Sequence, residues 1–77
     1  MQVNLNSVDK VKRFVIIMSE IEDNIDLVSG RYIVDAKSLL GIFSLDLSKP
    51  IKLEFNGSHN EESIKKILHE FDYELQA

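Results

Sequence analysis

The sequence predicts an α+β fold: a four-stranded antiparallel sheet with three helices on one face, in the order β-α-β-β-α-β-α. Three observations carry this reading. Apolar and polar residues alternate at Val3 and Leu5, at Ile25 and Leu27, and at Ile51, Leu53 and Phe55, the period of strands buried on one face. Apolar residues recur at helical spacing in Val11, Phe14 and Met18 and again in Ile64, Leu68 and Phe71. Ser29-Gly30 then supplies a glycine for a tight hairpin turn between two strand-like runs.

Taken in order, Gln2 to Asn6 reads as the first strand. Ser7 is a good N-cap and Asp9 a good first-turn acid for a helix whose Val8, Val11, Phe14, Val15 and Met18 share one side. The β-branched run Val15-Ile16-Ile17 imitates a strand, but Lys10, Lys12, Arg13 and Glu20 fit the helical period. Asn24 to Leu27 and Tyr32 to Val34 form the hairpin. Ser38 then caps a short helix through Leu39, Leu40, Ile42, Phe43 and Leu45, and Lys49-Pro50 ends the irregular chain before the fourth strand. Asn56-Gly57-Ser58 turns the chain into a last helix from about Asn60, with Glu61 and Glu62 in its first turn and Ile64, Ile67, Leu68 and Phe71 as its stripe. The helices cover one sheet face and leave the other wet, an open-faced sandwich.

A chain of 77 residues is expected to make one domain, spanning 1–77. At this size roughly 60% of the unfolded surface is buried, enough for a thin core and too little for a deep cleft, so contact is the expected mode of action. Hydrophobic residues at 44% and charged residues at 29% are ordinary for a globular domain. The net charge of -4 argues against nucleic acid as a partner, and the cluster Lys10, Lys12, Arg13 reads as a solvated helix face. The absence of cysteine excludes disulfides, thiolate metal sites and thiol nucleophiles. Met1 to Asn4 has no export signal, and the longest apolar run, Phe14 to Met18, is too short for a bilayer, so a cytoplasmic location with no membrane partner is expected.

The segment from Ser29 to Leu45 resembles the middle of HPr, the histidine-containing phosphocarrier protein of the bacterial sugar phosphotransferase system. In that family a hairpin leads into a Lys-Ser-apolar-apolar-Gly-apolar-apolar-Ser-Leu stretch that makes the second helix, and Lys37 to Leu45 repeats it position by position. The order of elements agrees along almost the whole chain. The resemblance implies an HPr-like sandwich and protein partners: a phosphotransferase-system component, HPr kinase or a transcriptional regulator. It also implies that Ser38 matches the serine that HPr kinase/phosphorylase modifies, and that the second helix is a docking element.

One departure is chemical. HPr-like carriers hold phosphate on a histidine that opens the first helix, in a Gly-apolar-His-Ala-Arg-Pro pattern. Here that slot falls at or beside Asp9, and the first histidine in the chain is His59. A carrier imidazole needs helix amides and a cation to neutralise incoming phosphate, whereas a carboxylate suits the helix dipole and repels the donor. Asp9 therefore reads as a stabilising first-turn acid, with an acyl-phosphate acceptor or a mimic of phosphohistidine as the functional alternatives.

Ser38 likewise has two readings, an N-cap and a phosphorylation site. A phosphate there would meet helix amides and change surface charge without unfolding the helix. Residues Leu39, Leu40, Ile42, Phe43 and Leu45 cannot all face one sheet. Ile42 and Leu45 are expected in the core and Leu39, Leu40 and Phe43 at a docking patch, unless the Asp46 to Lys49 loop folds over them. His59 and His69 do not converge, so solvated histidines are expected and no metal or cofactor. No Gly-rich phosphate loop or catalytic triad stands out, and the chain is not expected to be an enzyme.

Three hypotheses follow: a regulatory HPr-like binding module, a residual phosphotransfer carrier, and an unrelated split-βαβ domain for ligand sensing or assembly. Edge strands of so small a sheet can pair, so the expected state is a monomer or a weak dimer.

Overall fold

The computed structural model describes residues 1–57 and 60–76. Four strands, β1 (Gln2–Val3), β2 (Ile25–Ser29), β3 (Tyr32–Asp35) and β4 (Ile51–Phe55), form one sheet in the order β1-β4-β2-β3. Every pairing is antiparallel, with Val3 opposite Ile51, Leu27 opposite both Leu53 and Val34, and Val28 opposite both Lys52 and Ile33. Helices α1 (Val8–Ser19), α2 (Leu39–Phe43), α3 (Glu61–Ile67) and α4 (Tyr73–Gln76) complete the molecule, with a 3-10 turn at His69–Phe71. The expected open-faced sandwich is the observed architecture.

The core lies between the helices and one face of the sheet. Val3, Ile25, Leu27, Ile51 and Leu53 meet Val11, Phe14 and Met18 of α1, Ile42 of α2, Ile64 of α3, and Leu68 and Phe71 beyond it. At its centre Phe14 and Phe71 make an edge-to-face pair with ring centroids 5.5 Å apart, the arrangement their quadrupoles favour. The alternate strand residues Gln2 and Lys52 are exposed, and Asp26, Val28 and Glu54 are half-buried.

Local chemistry explains the boundaries. Ser7 caps α1 through a bond from the Lys10 amide to its Oγ (3.2 Å), satisfying one of the orphan donors of the first turn. Gly30 takes φ +59 while Arg31 stays at negative φ, the type II′ pattern that suits a two-residue hairpin between Ser29 and Tyr32.

Three sequence expectations need correction. Val8 is exposed, because it opens the helix about 90° from the centre of the Val11, Phe14 and Met18 stripe at 100° per residue. Strand β1 ends at Val3, although Leu5 is buried as its alternation required. The Asn4 amide leaves the sheet to bond the Phe71 carbonyl (2.7 Å), while Val3 bridges Asp72.

The third correction concerns the last helix, which stops at Ile67 and leaves that side chain exposed. A 3-10 turn eclipses residues three apart, so tightening the chain sets Phe71 over Leu68 and buries both. Ser58 and His59, part of the predicted turn and of the histidine pair, lie outside the described residues.

Candidate functional site

The segment that enters α2 is held by three successive local bonds. Asp35 Oδ1 accepts from the Lys37 amide (2.8 Å), an Asx turn. The Asp35 carbonyl accepts from the Ser38 amide (2.9 Å), and Ser38 Oγ accepts from the Gly41 amide (3.1 Å). Glycine is required by this close approach: a Cβ at position 41 would stand 2.9 Å from Ser38 Oγ and 3.3 Å from Val34 Cβ. At the other end the Ser44 hydroxyl donates to the Gly41 carbonyl (2.6 Å). One and a half turns of helix are therefore fastened at both termini by side chains, which a helix this short needs.

That fastening fixes which apolar residues face water. Ile42 and Leu45 are buried, as expected, and Leu39 is half-buried against the core. Leu40 is 83% exposed and Phe43 38% exposed. The following loop does not cover Leu40. Ser48 donates its amide (3.1 Å) and its hydroxyl to Asp46 Oδ1, and Leu47 packs on the core. The Ser48 hydroxyl, then the Ser48 amide, and at longer range the Lys49 charge hold the Asp46 carboxyl below its usual range. Of the predicted patch, Leu40 and Phe43 are presented to solvent and Leu39 mostly supports them.

Asp9 lies in the first turn of α1, its side chain exposed. Its carboxylate pairs with Arg13 Nε (3.1 Å), one turn on. Arg13 Nη1 also reaches Glu70 Oε2 (2.9 Å), and its guanidinium lies 6.0 Å from the centroid of Phe71. Arg13 is thus shared between two carboxylates and an aromatic face. Asp9 and Arg13 could have been read from their i,i+4 spacing; Glu70 and Phe71 could not, because only folding brings them alongside.

His69 is exposed in the 3-10 turn, its Nδ1 3.2 Å from the Lys66 carbonyl oxygen. Among the described residues no three His, Cys, Asp or Glu side chains converge on a point where a metal could bind. No helix among them is long and apolar enough to cross a membrane.

No family model matches this sequence. No curated protein matches it either. Among solved structures, the crystal structure of HPr-C-His from Thermoanaerobacter tengcongensis is similar, with a TM-score of 0.71 and 25% identity over 90% of this chain and 89% of that one. The likeness spans nearly all of both chains, so the fold described above is an HPr-like fold.

Proposed function

We propose that this chain is a regulatory protein-binding module on an HPr-like scaffold, docking through α2 and switched by phosphate on Ser38. The observation that carries the reading is the pair Leu40 and Phe43, apolar side chains standing in solvent on a helix clamped at both ends. A rigid apolar anchor loses little conformational entropy on binding, which suits a hot spot. The partner is a protein with a complementary apolar pocket, and the resemblance around Lys37 to Leu45 points to a phosphotransferase-system component, HPr kinase or a transcriptional regulator. Phosphate on Ser38 would add about two negative charges beside that anchor and so alter which pocket accepts it.

Carrier chemistry is not part of the proposal. The resemblance puts the histidine slot at or beside Asp9, whose carboxylate is engaged by Arg13, an arrangement that supports the helix and offers no imidazole there. Two experiments test the reading. Incubation with HPr kinase and ATP, followed by intact mass measurement, is expected to add one phosphate that Ser38→Ala abolishes; an unchanged mass removes the switch. Incubation with enzyme I and labelled phosphoenolpyruvate is expected to leave the chain unlabelled, and a label that turns over would overturn the non-carrier reading.

A further inference from the structure

The two edges of the sheet are finished differently. At β1 the outer edge is closed by the chain itself, through the Val3–Asp72 bridge and the bond from the Asn4 amide to the Phe71 carbonyl. At β3 no described strand lies outside. The register shows which groups that edge offers. Ser29 and Tyr32 flank the two-residue turn and so form a hydrogen-bonded pair, and alternation turns Val34 inward as well. The Ala36 amide continues the series, bonding the Ile25 carbonyl at 3.0 Å. The main-chain groups of Ile33 and Asp35 therefore point away from the sheet, with the Asp35 carbonyl already accepting from Ser38, while Arg31 sits in the turn just before the strand.

Of the devices that usually discourage pairing, this edge has only its shortness and the charge of Asp35. Strand β3 contains no proline, lysine or bulge, and its Tyr32 and Ile33 are 70% and 64% exposed. Its charges are only partly met, with Lys37 lining the same cleft as Asp26 and Asp35. Asp35 stands opposite Asp26, which stands opposite Glu54, so three carboxylates cross three strands in a row, an unfavourable alignment. Asn56 Nδ2 bonds Asp26 (2.7 Å) and the Lys37 amide bonds Asp35, but no strand position in the row holds a cation.

We propose that β3 pairs with β3 of a second copy of this chain, antiparallel about a two-fold axis through Ile33, to form a continuous eight-stranded sheet. This register is the one the charges select. With Ile33 opposite the partner's Ile33, Arg31 of each copy falls opposite the partner's Asp35, so the carboxylate row of each copy ends on one cation. Shifting the axis to Val34 would set Arg31 against the partner's Lys37, and shifting it to Tyr32 would leave Arg31 opposite the partner's Ile33. The centred register also pairs the outward amide and carbonyl of Ile33 in both directions. Val28, across from Ile33 within each copy, extends the apolar seam on both sides. A contact built on one four-residue strand is smaller than a standard stable interface, so the dimer is weak and concentration-dependent.

Sedimentation equilibrium of the full chain over rising concentration tests this, with thermal melts of dilute samples to verify folding of each variant. The wild type is expected to dimerise reversibly. Ile33→Lys should abolish association, and Arg31→Asp or Asp35→Arg alone should weaken it about tenfold by setting like charges opposite each other. An equimolar mixture of Arg31→Asp and Asp35→Arg chains should regain association as a heterodimer, since each charge then meets its opposite. A wild type that stays monomeric at millimolar concentration, a dimer indifferent to Ile33→Lys, or a mixture that does not recover would each overturn the proposal.

Discussion

Ser38 shows how much one hydroxyl does here. Its Oγ satisfies the Gly41 amide at the entrance to α2, and the helix is too short to hold itself. Ser38→Ala is expected to lower stability by about 1 kcal/mol, which for a domain of this size is a fall of roughly 4–8 °C in melting temperature. Ser38→Asp keeps an acceptor in place and should melt close to the wild type. Thermal denaturation of the three proteins checks both outcomes, and equal losses for Ala and Asp would mean that the cap contributes nothing. Asp46 shows the same economy in a loop. Its carboxyl is held below the usual carboxylate range chiefly by the Ser48 hydroxyl. A depressed folded value means that its stabilisation is complete above the unfolded value and is lost as pH falls through the folded one. The Ser48 amide resonance should therefore stay fixed through pH 5 and shift only under more acid conditions than ordinary aspartates require, as an NMR titration would record.

At the scale of elements, α2 separates anchoring from presentation. Ile42 and Leu45 are in the core and Leu39 braces it, while Leu40 projects into water. Leu40→Ser is expected to change stability by less than about 0.5 kcal/mol in urea denaturation, because little apolar surface is lost from the interior. The same substitution should sharply reduce binding of a purified candidate partner, such as HPr kinase or a phosphotransferase-system component, measured by calorimetry. Binding that survives Leu40→Ser combined with Phe43→Ser would move the docking site elsewhere. Helix α1 is tied to the 3-10 turn by Arg13, which engages Asp9, Glu70 and the Phe71 ring. Both ion pairs are exposed, so Arg13→Ala should cost about 1 kcal/mol or less by urea denaturation.

For the whole molecule, the Phe14–Phe71 pair is where α1, the sheet and the C-terminal segment meet. Phe71 also anchors the backbone that closes the β1 edge through its carbonyl. A domain of this length has a net stability of roughly 4–12 kcal/mol, and replacing a buried phenylalanine by alanine typically costs about 3–5 kcal/mol. Phe14→Ala is thus expected to leave a large unfolded fraction at 37 °C, while Phe14→Leu, which refills most of the volume, remains folded. Circular dichroism melts distinguish these outcomes. The HPr-like sandwich depends on this one thin core, to which Ile42 of α2 also belongs.

Local preference was enough to read the existence of the four strands, though not the end of β1, together with the Ser7 and Ser38 caps, the Ser29-Gly30 turn and the α2 motif, since each depends on residues within a few positions of one another. Period-two alternation marked Val3, Leu5, Ile25, Leu27, Ile51 and Leu53 as core, and all are buried. Tertiary structure decided the rest. Whether Ile67 or Phe71 faces inward depends on a tightened turn that lets Phe71 reach Phe14, and the pairing of Arg13 with Glu70 joins residues far apart in the chain. The same holds for the edges: Asp72 covers β1 and no described strand covers β3. Periodicity records which side of an element is apolar, but which neighbour covers that side, or whether any does, is settled only when distant segments compete for the same surface.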